Sequence, residues 1–404
     1  MSDVMVTARE AADLLGVSKE TLYAYVSRGH LQSFPRQSGS RERMYRKAEL
    51  MELQHRRSFR RDPESAASGV IEFGTPILTT AISMVTDDEH GYRGIPSREL
   101  AARYRFEQVC DFLWTGSRTS LGLPTRNAAW DDAIDAALIP EVPDLTPVER
   151  MQVLLPYLER QSLHAYGARV ENLLPSAIRI VQYLTSVSAG RRFETGVSDT
   201  LAAAWHVDAA PLDTLLTMVA DHELNIATFT ARCAASAGAS LHQAVIAGLA
   251  SLQGYKHLFG QVMEARTFFQ EVLETGDPER IVRRYLQRRS PIPGFHNPYR
   301  SLYPERDPRV ATLLDNLADR PGTDLLNETV ELVVTGTREN PRIDFALGVT
   351  EPLLGLPRDS IFSLIATGRT AGIIAHVLEQ FSSDRVIRPR ARYTGAVAAA
   401  HGST

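Results

Sequence analysis

Six short strings place histidines, carboxylates and arginines beside glycine or proline turns, where such side chains can hold an anion or move a proton. Asp221-His222-Glu-Leu-Asn225 gathers polar groups ahead of a run of small residues. In Gly254-Tyr-Lys256-His257-Leu-Phe-Gly260 a histidine closes an apolar stretch. A neutral imidazole at such a helix terminus can donate a hydrogen bond to an oxyanion. Pro293-Gly-Phe-His296-Asn297 precedes Asp307-Pro-Arg309. Arg342-Ile-Asp344-Phe345 sets an acid in an otherwise apolar run, where desolvation raises its pKa toward a general base's working range. Gly368-Arg369-Thr-Ala-Gly372 leads to His376 and Glu379, and Arg388-Pro-Arg390-Ala-Arg392 lies near the end. Singly, each string also reads as a helix end, a solvated loop or, for His257, a satisfied core histidine. Together they supply histidines, one buried acid and separated arginines. Three arginines can clamp a small dicarboxylate through bidentate contacts. One acid with nearby donors suits proton abstraction next to a thioester carbonyl. No Cys/His cluster has zinc spacing, so no metal is expected.

The elements that must position these groups are helices. Leu100 and Tyr104, then Phe106, Val109 and Leu113, keep a 3–4 spacing, as do Val148–Leu158, 173–184 and Leu212–Val219. Ala202–Trp205 is expected to open another helix. The stretch His242–Leu252 is apolar almost all round and should be buried. Pro140, Pro147, Pro175, Gly190, Pro211 and Gly254 punctuate the pattern. Strand alternation is scarce apart from GVIEFGTPIL, so the body is expected to be all-α.

The 404 residues, 44% hydrophobic and 23% charged, exclude wholesale disorder and predict two or three domains. Cys110 and Cys233 are too few for a disulfide framework and read as core thiols of a cytoplasmic protein. No signal peptide or run of ~18 apolar residues is apparent, so no membrane span is expected. Only Lys19, Lys47 and Lys256 are lysines, an arginine bias attributable to a GC-rich genome. Residues 1–61 hold 12 basic and 7 acidic side chains; the remainder holds 32 and 41. A basic module therefore leads an acidic body, which suggests a polyanion contact at one end or simply a solvated basic face. In that module Ala8, Ala11, Ala12 and Leu15 have helical spacing, Gly16 breaks it, and Ser18 can cap a second helix carrying Leu22 and Tyr25 that Gly29 ends. A Gly-Ser turn between extended segments follows, then a short helix from about Lys47. Residues 53–68 read as a linker or an exposed helix end.

The string AADLLGVSKETLYAYVSRGHL resembles the winged helix-turn-helix of excisionase and MerR-type regulators over residues 5–52. That resemblance implies duplex DNA as partner, with Lys19, Tyr23 and Arg28 on the recognition helix and Arg36, Arg41, Arg43 and Arg46 on the wing side. The alternative is an assembly appendage. Across residues 69–395 the strings DHELNIATFTAR, GYKHLFGQ, PIPGFHNPY…DPR, RIDFALG, GRTAGIIAHVLEQ and RPRARYTG resemble the citrate synthase family. The resemblance implies a helical homodimer whose large domain (69–258 and 356–404) and small domain (259–355) close on oxaloacetate and an acyl-CoA, with no cofactor beyond the acetyl-CoA substrate. By position, Asp344 removes the methyl proton and His257 holds the enol oxygen. His222, Asn225, Arg309 and Arg369 bind oxaloacetate, Arg388 reaches the partner's site, and Lys256, Arg300 and Arg306 meet CoA.

Two departures stand out. The family's Gly-His after Pro-Gly-Phe is here His296-Asn297, with about three extra residues before Asp307. His296, not Asn297, is expected to point into the cleft and polarise the ketone. Leu258 and Phe259 replace small residues and are expected to narrow the thioester channel. The choice lies between an active synthase of citrate or 2-methylcitrate and a non-catalytic metabolite sensor gating DNA binding. A His296 turned to solvent would weigh toward the sensor.

Overall fold

The computed structural model describes residues 5–28, 31–35, 43–46, 50, 53, 78–86, 88–122, 145–162, 170–194, 196–296, 306–383, 385–389, 391 and 395. The chain divides into two compact units between Thr79 and Thr80.

In the first unit, strand β1 (Met5–Thr7) leads into α1 (Ala8–Leu15). Thr7 caps α1 and Glu10 returns the bond in a capping box. Gly16 adopts the left-handed conformation (φ 59°) that ends the helix. Ser18 then caps α2 (Lys19–Ser27), accepting from Thr21 N at 3.3 Å. Strands β2 (Phe34–Pro35) and β3 (Arg43–Arg46) complete an antiparallel sheet in the order β1-β3-β2. Ala11, Ala12, Leu15, Leu22, Leu31, Tyr45 and Leu50 form its own core. The expected turn at residues 38–40, Gly29 and most of the short helix from Lys47 fall outside the described residues, as does GVIEFGTP.

Among the described residues the second unit is helical apart from a short meander that sequence pattern missed: β4 (Ser83–Val85), β5 (His90–Tyr92) and β6 (Ile95–Pro96), paired in that order. Strands of two or three residues are too short to show alternation. The helices that follow are α3 (Ser97–Arg103), α4 (Phe106–Thr115), α5 (Pro147–Arg160), α6 (Val170–Ala189), α7 (Val197–Trp205), α8 (Ala209–Val219), α9 (Ile226–Ser236), α10 (Leu241–Leu252), α11 (Leu258–Thr275), α12 (Pro278–Gln287), α13 (Pro308–Asp315), α14 (Thr323–Thr337), α15 (Ile343–Leu354) and α16 (Ser360–Phe381). Two local readings change. Ala202–Trp205 closes α7 rather than opening a helix, because Val197–Leu201 already supplies its buried stripe. Pro175 lies inside α6, which runs through it. Cys110 and Cys233 are free thiols, as expected.

The α16 helix is the hub, packing on α4, α5, α6, α8, α9, α10 and α15. By length and composition it is apolar enough to cross a membrane, yet 94% of that window is buried in the protein. It carries Arg369 and His376 inward, both buried. Gly368 and Gly372 make this possible. A Cβ at Gly368 would lie 3.0 Å from Leu216 O, and one at Gly372 only 2.3 Å from Ala220 O. The backbone of α16 thus reaches the end of α8, and Gly372 N donates to Ala220 O at 3.0 Å.

Candidate active site

The site grows from the end of α8, where the chain leaves the helix as Asp221-His222. Asp221 is fully buried. Its Oδ2 accepts from Ser83 Oγ at 2.5 Å and from His376 Nε2 at 3.1 Å. Burial by itself would raise this carboxyl, but His376, Arg369 and Ser83 outweigh it and bring it down to about 2. His90 Nε2 donates to the Asp221 carbonyl at 3.0 Å, so its Nδ1 must accept from Ser97 Oγ, also at 3.0 Å. The strand β5 directs His90 and Tyr92 inward two residues apart. Tyr92 Oη donates to Thr217 O at 2.8 Å. This lattice holds His222, whose ring stacks on His90 with centroids 5.6 Å apart and planes 15° from parallel. Burial, Arg309 and His90 together keep the His222 imidazole neutral, well below its usual range.

Two buried guanidiniums share this environment. Arg309, on the first turn of α13, grips Asp307 through Nε–Oδ1 at 2.9 Å and Nη2–Oδ2 at 2.6 Å. Burial opposes ionisation of Asp307, but Arg309 prevails and holds it well below the carboxylate range. Arg369 differs. It is 5% exposed, yet among the described residues its Nε and Nη1 have no hydrogen-bond partner. Donors on a buried cation are rarely left open, because desolvating them without a partner is unfavourable. Such a group is shaped for an anion.

His257 is the N-cap residue of α11, and its buried Nε2 has no partner among the described residues. Burial first and Arg369 second push its pKa down to about 4, so the ring is neutral and able to donate. Asp344, in the first turn of α15, is 6% exposed. Burial raises it to about 6; Arg342 and Arg309 oppose that rise and Asp307 adds to it. The carboxyl is thus poised where a base exchanges protons near neutrality.

These groups are linked through the two guanidiniums: His222 feels Arg309 and Arg369, His257 feels Arg369, Asp344 feels Arg309, and the two arginines feel each other. Other expected residues lie elsewhere. His296 is corrected: its side chain is 47% exposed and its Nδ1 sits 3.6 Å from Glu339 Oε1, not in the cleft. Phe295 instead takes the inward position, packed on Phe345 at 4.6 Å, which turns the next side chain outward. Asn225 also has a structural role: its Oδ1 caps α9, accepting from Ala227 N at 3.0 Å and Thr228 N at 3.2 Å. Phe259 is buried against Phe362, centroids 5.0 Å apart, and Leu258 is buried as well. Lys256, Arg306 and Arg388 are exposed. Asn297 and Arg300 lie outside the described residues. Sequence reasoning missed His90, Asp221 and His376 as the supporting lattice. Asp221 adjoins His222, but its partners stand 138 and 155 residues away.

In the first unit, Lys19 and Tyr23 stand four apart and exposed on α2, with exposed Arg28 at its end. Arg43 is exposed on β3 and Arg46 ends that strand; Arg36 and Arg41 lie outside the described residues.

Comparison with known proteins agrees with both units. The family profile described as citrate synthase, C-terminal domain, matches residues 72–390, and a helix-turn-helix domain profile matches 5–58. The chain belongs to the citrate synthase family and carries a helix-turn-helix domain at its N-terminus. It is 28% identical to a citrate synthase of Mycolicibacterium smegmatis over 358 residues, 80% of this chain and 94% of that one. It is 26% identical to a 2-methylcitrate synthase of Mycobacterium tuberculosis over 370 residues, 80% and 89% of the two. Its fold matches the crystal structure of citrate synthase from Thermotoga maritima with a TM-score of 0.67 at 24% identity, covering 81% of this chain and 96% of that one.

Proposed function

We propose that the body is a condensing acyltransferase that joins acetyl-CoA, or another short acyl-CoA, to oxaloacetate, giving citrate (or a homologue such as 2-methylcitrate) and CoA. The observation that carries this reading is the open, buried guanidinium of Arg369, which acts on two neutral imidazoles and shares the field of Arg309 with a carboxyl raised to about 6. In this mechanism Asp344 takes a proton from the carbon next to the thioester carbonyl. His257 donates through Nε2 to the oxygen that gains charge. The enol carbon then attacks the ketone of oxaloacetate, whose carboxylates are held by Arg369 and Arg309 with His222 donating. Water cleaves the resulting thioester and releases CoA. Lys256, Arg300 and Arg306 are proposed to meet CoA. Arg388 is proposed to complete the site of a second copy in a cytoplasmic homodimer, the body closing as domains 69–258 with 356–404 and 259–355. The α2 face of Lys19, Tyr23 and Arg28 is proposed to contact duplex DNA.

A second reading, a metabolite sensor that gates DNA binding, is favoured by one observation. His296 faces Glu339 and solvent, so it supplies no donor to a ketone. Thiol release from acetyl-CoA or propionyl-CoA in the presence of oxaloacetate tests both readings. CoA formation supports the acyltransferase. Oxaloacetate binding without any CoA formation overturns it in favour of the sensor.

A further inference from the structure

Resting on that reading, we propose that Arg342 is a positioning residue for the base: its guanidinium, held 4.0 Å from Asp344, stabilises the carboxylate charge without capping either oxygen. The distance is the first support. Arg342 Nε lies 4.0 Å from Asp344 Oδ2, beyond a hydrogen bond but within strong electrostatic reach. An arginine bonded directly, as Arg309 is to Asp307, would occupy the lone pairs that must accept the substrate's proton. The second support is the surrounding charge. The charged groups that face Asp344 are Arg342, Asp307 and Arg309. Arg309 is already matched by its bidentate grip on Asp307. That leaves Arg342 as the unmatched cation of this group. On the packed helix α11, Arg266 is engaged two turns along by Glu351 at 2.9 Å and by Asp359 of the α15–α16 connection at 2.7 Å. The third support is placement. Arg342 is the N-cap residue of α15, and its N donates to Gly294 O at 2.9 Å, which ties the pair to the Pro-Gly-Phe turn. Its side chain is 26% exposed against 9% for Asp344, so the cation remains hydrated while the base stays dry.

The test is the pH dependence of kcat/KM for thiol release in wild type, Arg342→Gln and Arg342→Lys. The acidic limb should move upward by about one pH unit or more in Arg342→Gln, as expected when an aspartate loses a neighbouring cation. Below that limb the loss should reach about tenfold, and above it the variant should approach wild type. Arg342→Lys should restore the wild-type limb. A loss equal at every pH, or an unmoved limb, would overturn the proposal. Titration of the Asp344 carboxyl by carbon-13 NMR reads the same shift without turnover. A wild-type protein that releases no thiol but shows this NMR shift would sink the acyltransferase reading and leave the Arg342–Asp344 coupling standing.

Discussion

Asp344→Asn should abolish turnover and yet stabilise the fold. Asparagine keeps the volume but takes no proton. The stability gain follows from burial of the charge. The carboxyl rises from its ordinary 3.8 to about 6. That is roughly two pH units, each worth about 1.4 kcal/mol, so holding the charged form in the folded protein costs up to about 3 kcal/mol. The folded state binds the proton more tightly than the unfolded state. The penalty is therefore absent below about pH 4, where both states are protonated, and grows between about pH 4 and 6. It is constant at higher pH. Asparagine escapes it, while Arg342, partly exposed, loses a partner at little cost. Urea unfolding at neutral pH should show Asp344→Asn about 1–3 kcal/mol more stable than wild type, with the two converging near pH 4. No gain at neutral pH, or a gain unchanged down to pH 4, would refute the claim that the buried carboxylate is held at an energetic cost.

Arg369→Gln should weaken oxaloacetate binding by about tenfold to a hundredfold, the effect of a charged hydrogen bond, without lowering the stability of the ligand-free protein; calorimetric titration and unfolding measure the two. His296→Ala should alter turnover by less than about twofold, whereas His257→Ala should reduce it by about 10²–10⁴-fold; steady-state kinetics of the pair would expose an error in either placement. Asp221→Ala should destabilise the body by about 3 kcal/mol, because it leaves the buried donors of His376 and Ser83 without their acceptor; unchanged denaturant midpoints would remove Asp221 from its structural role. Deleting residues 1–60 should remove salt-dependent binding to duplex DNA and leave oxaloacetate binding intact; binding that survives the deletion would assign it to the body.

What the sequence determined by itself was local. Thr7, Gly16 and Ser18 set the ends of the first two helices because capping and left-handed φ are decided within a few residues. An acid in the apolar run Ile343–Leu354 had to be buried wherever that helix packed, so the raised Asp344 carboxyl was legible as well. The order of the motif strings carried the family. Only tertiary structure decided which way side chains face and what they meet. The imidazole of His296 points outward because Phe295 fills the space beside Phe345, a contact between segments 50 residues apart. The capping role of Asn225 appeared only with the start of α9 at the next residue. The lattice of Ser83, His90, Asp221 and His376 joins three distant stretches of chain through hydrogen bonds that no local pattern encodes. The open guanidinium of Arg369 became visible only once its described neighbours had been placed, because an unpaired donor is defined by what surrounds it.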